Sequence, residues 1–481
     1  MKRLLVGSLL LALAVAAMYG YVVTRRDRMH REQLARGEAA LAHDNTVAAV
    51  EAFSGAITLK PNAMIGYLRR GETYRKRGDL EEALRDLRRA SELDPTATRP
   101  LEELGDVNLA LTPPLGPRYG RAAALYRDYV RLDPASPRVL YKLAFASYND
   151  GHRAEAIEVL KNAVAQDDHF AEGFYLLGLC LRDAQRLNEA RAALERAIRI
   201  EPAMLHAREE LADLFGALGR TEDRLSQLKA LSALNPGASR EVALGLAFAR
   251  AGQPERAVLT LGYAAEHYPD DRYAYVALGR VWLELAPTRA DALSKALTAL
   301  EGAVGTDDSS EAMMLFGRAL LMTRDDDSAE RMLQDATHKE PVDPLAFYYL
   351  AEAAERLDHW DVARQALLDY QALHGAEDDA RRRVAQSLRL GDLSLKLDDA
   401  ASAVRYYQLV AADTDGDPGM LARLADAQWR AGETGAARAT VDRALEKEPR
   451  NPQLLALRRR LGPVTSPPSD RSDPATRHQG N

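Results

Sequence analysis

Residues 64–97 read MIGYLRRGETYRKRGDLEEALRDLRRASELDPTA. Two amphipathic helical segments are legible in this stretch. The first carries Tyr67, Gly71 and Tyr74, the second Ala83, Leu87 and Ala90, at the three- and four-residue intervals of one helix face. Between them stands Arg77-Gly78-Asp79, where glycine tolerates the backbone geometry that ends a helix. Asp94-Pro95 closes the second segment. Pro61 and Pro95 lie 34 residues apart, and so do Pro202 and Pro236. Pro236 to Pro269 spans 33 residues, and Pro134 to Pro202 spans 68, two periods.

The same pattern returns along the chain. It appears as Phe174, Leu177, Gly178, Ala190, Leu194, Ala197 and Pro202, and as Leu244, Gly245, Phe248, Ala257, Leu261, Ala264 and Pro269. It appears again as Gly317, Leu320, Ala329, Leu333, Ala336 and Pro341, and last as Leu424, Ala437, Val441, Ala444 and Pro449. Glycine-containing turns recur at Asp150-Gly151-His152, Leu218-Gly219-Arg220, Ala251-Gly252-Gln253 and Ala431-Gly432-Glu433. Small residues such as Gly178 and Ala190 let paired helices approach closely. A chain of 481 residues exceeds what one hydrophobic core supports, but a repeat array escapes that limit because each unit touches only its neighbours.

These positions, recurring together in phase, resemble the tetratricopeptide repeat (TPR) family. The resemblance implies an all-α, right-handed superhelical solenoid that binds peptides or partner proteins and carries no enzymatic activity. Phase tracking gives about twelve helix-turn-helix repeats over residues 30–450. Extra residues fall between helices at Leu111–Tyr119 and near Ala286–Ala290, and a longer junction at Ala376–Arg383. Residues 451–461 read as a capping helix with Leu454, Leu455 and Leu457 beside Arg458–Arg460. Residues 462–481, rich in Pro, Ser, Asp and Arg, read as a disordered tail.

Residues 1–28 read as a membrane anchor or a signal segment. Leu4 to Val23 is an uncharged run of 20 residues, which as a helix covers about 30 Å of hydrocarbon. Lys2 and Arg3 precede it, Arg25, Arg26, Arg28 and Arg31 follow it, and Tyr19 and Tyr21 sit near its end. A cleaved signal is the competing reading, with Ala12-Leu13-Ala14 or Ala14-Val15-Ala16 as cleavage sites. The apolar run continues past both, as a spanning helix requires. The excess of Lys and Arg after the run places the repeats in the cytoplasm, and a periplasmic location is the alternative.

Composition narrows the function. The formal net charge of −7 and the absence of a long basic run argue against nucleic acid. Arg381–Arg383 and Arg458–Arg460 are the densest basic clusters and read as solvated helix faces. The single cysteine, Cys180, cannot form an internal disulfide and sits in an apolar run as a packed side chain. No phosphate loop, dinucleotide fingerprint, HExxH or GxSxG motif is present. The acidic clusters Asp307-Asp308 and Asp325–Asp327 fall at repeat or helix boundaries, where aspartate caps helices. The sequence therefore predicts no catalytic residue, metal, cofactor or small-molecule substrate.

What the family resemblance implies for partners is a concave surface lined by the first helix of each repeat. Carried onto this sequence, it offers Arg138, Tyr141, Phe145 and Tyr148, then Tyr175 and Arg182, then Tyr273, Arg280, Met314, Arg318, Tyr348 and Trp429. Aromatic residues beside arginines are the types that dominate protein–protein hot spots. Glu38, Glu72 and Asp106 stand where a chaperone-tail clamp of this family has asparagine, which argues against that ligand. The expected role is a membrane-tethered adaptor that assembles or regulates an envelope complex. The alternative is a periplasmic assembly factor for polysaccharide export, cytochrome maturation or secretion.

Overall fold

The computed structural model describes residues 2–111, 116–306, 308–374 and 380–462. The expected tail, apart from Gly462, lies outside the described residues, as do Asp307 and parts of the two segments Leu111–Tyr119 and Ala376–Arg383. Among the described residues every regular element is an α-helix, 25 in all. They form antiparallel pairs, each first helix packed on the second helix of its own repeat and, within each of the two units described next, each second helix on the next repeat's first. A last short helix, Pro452–Arg460, follows the final pair.

Two compact units divide the chain, Met1–Asn235 and Pro236–Asn481. Six pairs make up the first, from Lys2–Ala42 with Thr46–Leu59 to Leu205–Ala217 with Thr221–Leu234. Six more make up the second, from Ala238–Arg250 with Pro254–His267 to Pro418–Arg430 with Thr434–Lys447.

One packing rule recurs inside the pairs. Gly71 of helix Met64–Arg77 lies against Leu87 of helix Leu80–Leu93, where a Cβ on the glycine would stand 2.8 Å from Leu87 Cγ. Gly37 meets Phe53, Gly178 meets Leu194, Gly245 meets Leu261, Gly317 meets Leu333 and Gly391 meets Tyr407 in the same way. Each of these partners lies 16 positions after its glycine. Gly105 meets Tyr126 and Gly279 meets Leu300, each 21 positions later, because these two repeats carry the longer connections that the sequence predicts. In the remaining four repeats the position holds a buried alanine: Ala144, Ala212, Ala351 and Ala425. The large partners are the fully buried centre of each pair, Phe53, Leu87, Tyr126, Leu194, Leu261 and Tyr407 among them.

Turn chemistry fixes the hand-over between paired helices. Gly78 adopts a left-handed backbone, φ 90°, and its N–H reaches back to the carbonyls of Tyr74 and Arg75. Aspartates start several helices: Asp325 accepts from Ser328 N at 3.3 Å and Asp399 from Ser402 N at 3.0 Å. The acidic run Asp325–Asp327 thus contains a cap, and Asp326 pairs with Arg356 at 3.0 Å. The final helix places Leu454, Leu457 and the following Leu461 in the core of the last repeat.

The N-terminal helix joins the apolar segment to the first repeat. Lys2–Ala42 is one uninterrupted helix of 41 residues, with no break where the anchor meets the repeats. Its described apolar portion is exposed, including Leu9, Leu10, Leu11, Leu13, Val15 and Met18. By length and composition this helix can cross a membrane. Its C-terminal part is the first helix of the first repeat, with His30 and Gly37 buried and Gly37 seated on Phe53.

The glycine contacts yield a stability prediction. A methyl added at Gly178 would stand 2.6 Å from Leu194 Cγ, so Gly178→Ala should destabilise by about 1–3 kcal/mol through overpacking. Leu194→Ala removes the obstacle, so the double variant should lose less than the two single variants summed. Urea denaturation followed by circular dichroism measures this. Strictly additive losses would mean that the two side chains do not meet.

Candidate partner-binding surface

Successive first helices lie side by side, and their polar residues connect across repeat boundaries. In the first unit, Arg69 pairs with Glu38 of the preceding repeat at 2.8 Å and with Glu72 of its own at 2.9 Å. Arg99 of the next repeat donates to Glu72 at 3.0 Å and pairs with Glu103 at 2.7 Å. Glu102 beside it accepts from Arg138 and, at 2.6 Å, from Lys142 of the following repeat. Lys142 also donates to both oxygens of Asp106 at 2.8 Å, and the Tyr126 hydroxyl donates to Asp106 at 2.7 Å. The acidic residues in place of the clamp asparagine, Glu38, Glu72 and Asp106, are therefore rungs of a ladder of ion pairs.

The middle of this ladder is buried. The side chains of Glu102 and Glu103 are only 3% and 1% exposed. Burial pushes the Glu102 carboxyl up, but hydrogen bonds from Arg138 and Lys142 and their charges prevail and hold it at about 2. For Glu103 burial prevails over Arg75 and Arg99, and its carboxyl is raised. Two adjacent carboxylates are thus driven in opposite directions, Glu102 down by its hydrogen-bonded cations and Glu103 up by burial.

Farther along this unit stand five of the residues that the sequence singles out. Tyr141, Tyr148 and Tyr175 are half-buried and rest on one core cluster around Leu177, Cys180 and Leu181. The Tyr141 ring packs edge-on against Phe170, with centroids 5.5 Å apart. The Tyr148 hydroxyl donates to Asp183 at 2.6 Å, and this bond, with burial, pushes the phenol up to about 12. Arg182 donates to Asp183 at 3.0 Å and also pairs with Glu210 of the next repeat. Phe145, at the edge of exposure, meets Tyr119 edge-on at 6.4 Å. Cys180 is fully buried and its thiol is pushed up to about 12 by that burial, the packed, unreactive side chain of the sequence reading.

The second unit repeats the theme with more aromatic stacking. Arg280 pairs with Glu311 of the next repeat. Arg318 lies over the Tyr349 ring at 5.7 Å, and Arg389 lies over Tyr348 at 5.2 Å while pairing with Glu355 at 2.9 Å. Tyr348, Tyr349, Tyr370, Leu345, Arg382 and Arg389 line a pocket of 270 Å³. Tyr273 is 65% exposed at the start of its helix. Trp429 is partly exposed beneath Arg460 at 5.6 Å.

Met314 corrects the sequence reading. It is 4% exposed and belongs to the core with Met313 and Leu315. Helix Ser310–Met322 buries Ala312, Met313, Met314 and Leu315 in succession, so the groove position there is taken up by core.

A larger hollow escaped sequence reasoning. It measures 940 Å³ and lies among helices Ala380–Lys396, Pro418–Arg430 and Pro452–Arg460. Val384, Leu388, Leu395 and Ala422 give it a half-buried apolar lining. Asp392, Arg423, Asp426 and Arg460 ring it, with Arg423 donating to Asp392 at 2.9 Å. The available signal was the pair Val384 and Leu388, four residues apart beside the Arg381–Arg383 cluster.

Stacked helix pairs with a charge-laddered, aromatic-bearing first-helix surface define a helical-repeat protein that binds other polypeptides. Sequence profiles described as TPR repeat or tetratricopeptide repeat match residues 71–111, 118–180, 171–204, 242–312, 314–380 and 394–461. The chain belongs to the tetratricopeptide repeat family, whose members are in general non-catalytic protein-interaction scaffolds. It is 30% identical over 111 residues to small glutamine-rich tetratricopeptide repeat-containing protein 2 of Mycosarcoma maydis, a match spanning 23% of this chain and 30% of that protein. Among solved structures it is similar to MamA, with 23% identity, 36% of this chain and 91% of the other covered, and a TM-score of 0.34. YrrB, titled a TPR protein with an unusual peptide-binding site, matches at 21% identity over 40% of this chain and 96% of its own, TM-score 0.36. The Cut9–Hcn1 hetero-tetramer structure matches at 13% identity over 94% of this chain and 99% of the other, TM-score 0.35.

The buried ladder makes stability pH-dependent. Glu102 has a folded-state value below the ordinary 4.5, so its charge stabilises the fold above about pH 4.5, and this contribution disappears as pH falls toward about 2. Glu102→Gln should lower hydrogen-exchange protection of helix Thr98–Ala110 at pH 7, on the order of 3 kcal/mol. The gap to the parent protein should narrow at pH 3. An equal gap at both pH values would contradict the ladder's role.

Proposed function

We propose that this protein is a membrane-tethered scaffold that holds a partner polypeptide on its first-helix surface and so assembles or regulates an envelope complex. The observation that carries this reading is the apolar, charge-ringed hollow of 940 Å³ on the first helices of the last two repeats. A hollow of that size takes several residues of an extended or helical peptide. Its lining resembles the apolar centre and polar rim of protein interfaces. Tyr141, Tyr148, Tyr175 and Arg182 extend the same surface type in the first unit, and the pocket at Tyr348 and Arg389 does so in the second.

The tether in this reading is the N-terminal helix. Its exposed apolar portion has no packing partner among the described residues, which supports insertion in a bilayer. Four arginines after the apolar run, against Lys2 and Arg3 before it, favour repeats on the cytoplasmic side. An alkaline-phosphatase fusion after the last repeat tests the side, and high phosphatase activity would reverse the assignment.

Partner binding has its own test. Cross-linked pull-downs from membranes would compare the parent protein with Leu388→Arg and with a variant carrying alanine at Tyr141, Tyr148 and Tyr175. Once the captured partner is identified, Leu388→Arg should weaken its Kd about thirtyfold, as hot-spot loss near 2 kcal/mol requires. The circular dichroism spectrum should be unchanged. Undiminished affinity in both variants would remove the first-helix surface as the binding site.

A further inference from the structure

We infer that the first repeat docks directly onto the membrane surface, where Arg25, Arg26, Arg28 and Arg31 together with Lys60 bind anionic phospholipid headgroups. This rests on the reading of the N-terminal helix as a span. It adds a lipid-binding surface that includes a residue of the repeats themselves.

The geometry starts from the uninterrupted helix Lys2–Ala42. With no flexible joint, the helix acts as a ruler at 1.5 Å per residue. The apolar run ends at Val23, and the Thr24 hydroxyl returns to the carbonyls of Gly20 and Tyr21 at 2.9 and 3.0 Å. Asp27 is four residues farther on, about 6 Å beyond the hydrocarbon, within the headgroup layer. At that level the turn after helix Thr46–Leu59 comes back to the anchor. Lys60 Nζ meets Asp27 Oδ1 at 2.6 Å. Val23, Arg26, Asp27 and residues 60–63 enclose an open hollow of 380 Å³, large enough for a phospholipid headgroup.

The charges are complementary to an anionic surface. Among the described residues no carboxylate lies within ion-pair distance of Arg25, Arg26 or Arg31, although the charges of Arg26 and Arg31 reach Asp27. Arg28 has Glu32 at 3.8 Å, with both side chains well exposed. Asp27, the only acid between residues 23 and 31, is engaged by Lys60. Arg25, Arg28 and Arg31 follow one another at three-residue spacing along one side of the helix, and Arg26 faces the hollow. A cationic collar of exposed guanidinium groups at headgroup depth attracts phosphate-bearing anionic lipids.

The experiment uses the full chain in vesicles of phosphatidylcholine, alone or mixed equally with phosphatidylglycerol. Asn62→Cys carries an environment-sensitive fluorophore, and buried Cys180 does not compete for it. A headgroup-spin-labelled lipid should quench this label but not one at exposed His169→Cys. Native mass spectrometry should find phosphatidylglycerol retained in preference to phosphatidylcholine. Replacing the four arginines by glutamine should lower that retention on the order of several hundredfold, since each surface cation contributes roughly 1 kcal/mol. Lys60→Glu leaves the span and its flanks intact and should lower retention too, which covers the case in which the fourfold variant fails to insert. Carbonate extraction reports the span separately. A chain released by carbonate overturns both the span and the collar. An inserted chain whose Asn62 label is unquenched, or whose lipid retention is indifferent to Lys60→Glu, overturns the collar alone.

Discussion

The close approach of two helices at a side-chain-free position is the constraint from which the rest of this structure follows. In eight repeats a glycine of the first helix receives a large side chain of the second, and in four an alanine takes its place. The absent Cβ lets a leucine, phenylalanine or tyrosine fill the space between backbones, and that side chain becomes fully buried without aid from distant sequence. Each pair supplies such a centre from its own residues, the core then runs on from repeat to repeat, as in the continuous cluster from Val276 to Leu393, and the two longer connections are absorbed without disturbing the rule. Gly105 and Gly279 still meet Tyr126 and Leu300 although five residues have been added to each interval.

With one face of each first helix committed to that core, the polar residues on its other side must find partners in adjacent repeats. The outcome is the ladder from Glu38 through Arg69, Glu72, Arg99 and Glu102 to Lys142. Its rungs tie each first helix to the next, and where Glu102 and Glu103 are sealed from water, loss of a partner leaves a buried charge uncompensated. That is costlier than losing a surface ion pair, by several kcal/mol in typical proteins. The ladder sets the order and spacing of the first helices and, with them, the surface offered to a partner.

The period, the helix pairs and the small-residue positions were legible in the sequence because each is decided within one repeat. Gly71 and Leu87, or Gly178 and Leu194, can be read from a single 34-residue unit. The ladder was not legible, because its bonds join residues 27 to 40 positions apart and nothing inside a repeat says which neighbouring carboxylate an arginine will take. Tyr141, Tyr148, Tyr175 and Arg182 do come together, as the phase of their repeats implies. Met314 fails although Gly317 and Leu333 fix the phase there, because its helix buries four successive residues, Ala312 to Leu315, and the groove position is covered with them. The continuity of the first helix had a signal that went unused: residues 24–42 hold one glycine, Gly37, and no proline to break them.

The uneven burial of the ladder also decides where a partner can compete with it. An incoming peptide bearing charge must displace existing ion pairs or lie beside them. Displacing Glu102 from Arg138 and Lys142 would strand a carboxylate that is almost wholly sealed from water. Arg423 and Asp392 are each about half exposed, and exposed pairs of this kind exchange partners at a cost of about 0–1 kcal/mol. They border the hollow whose apolar lining rewards burial of a partner's side chains. On the proposed reading, the buried rungs serve the scaffold's rigidity, and the exposed Asp392–Arg423 pair serves recognition. This division of labour directs the search for a partner to the last two repeats before the sequence-selected tyrosines of the first unit.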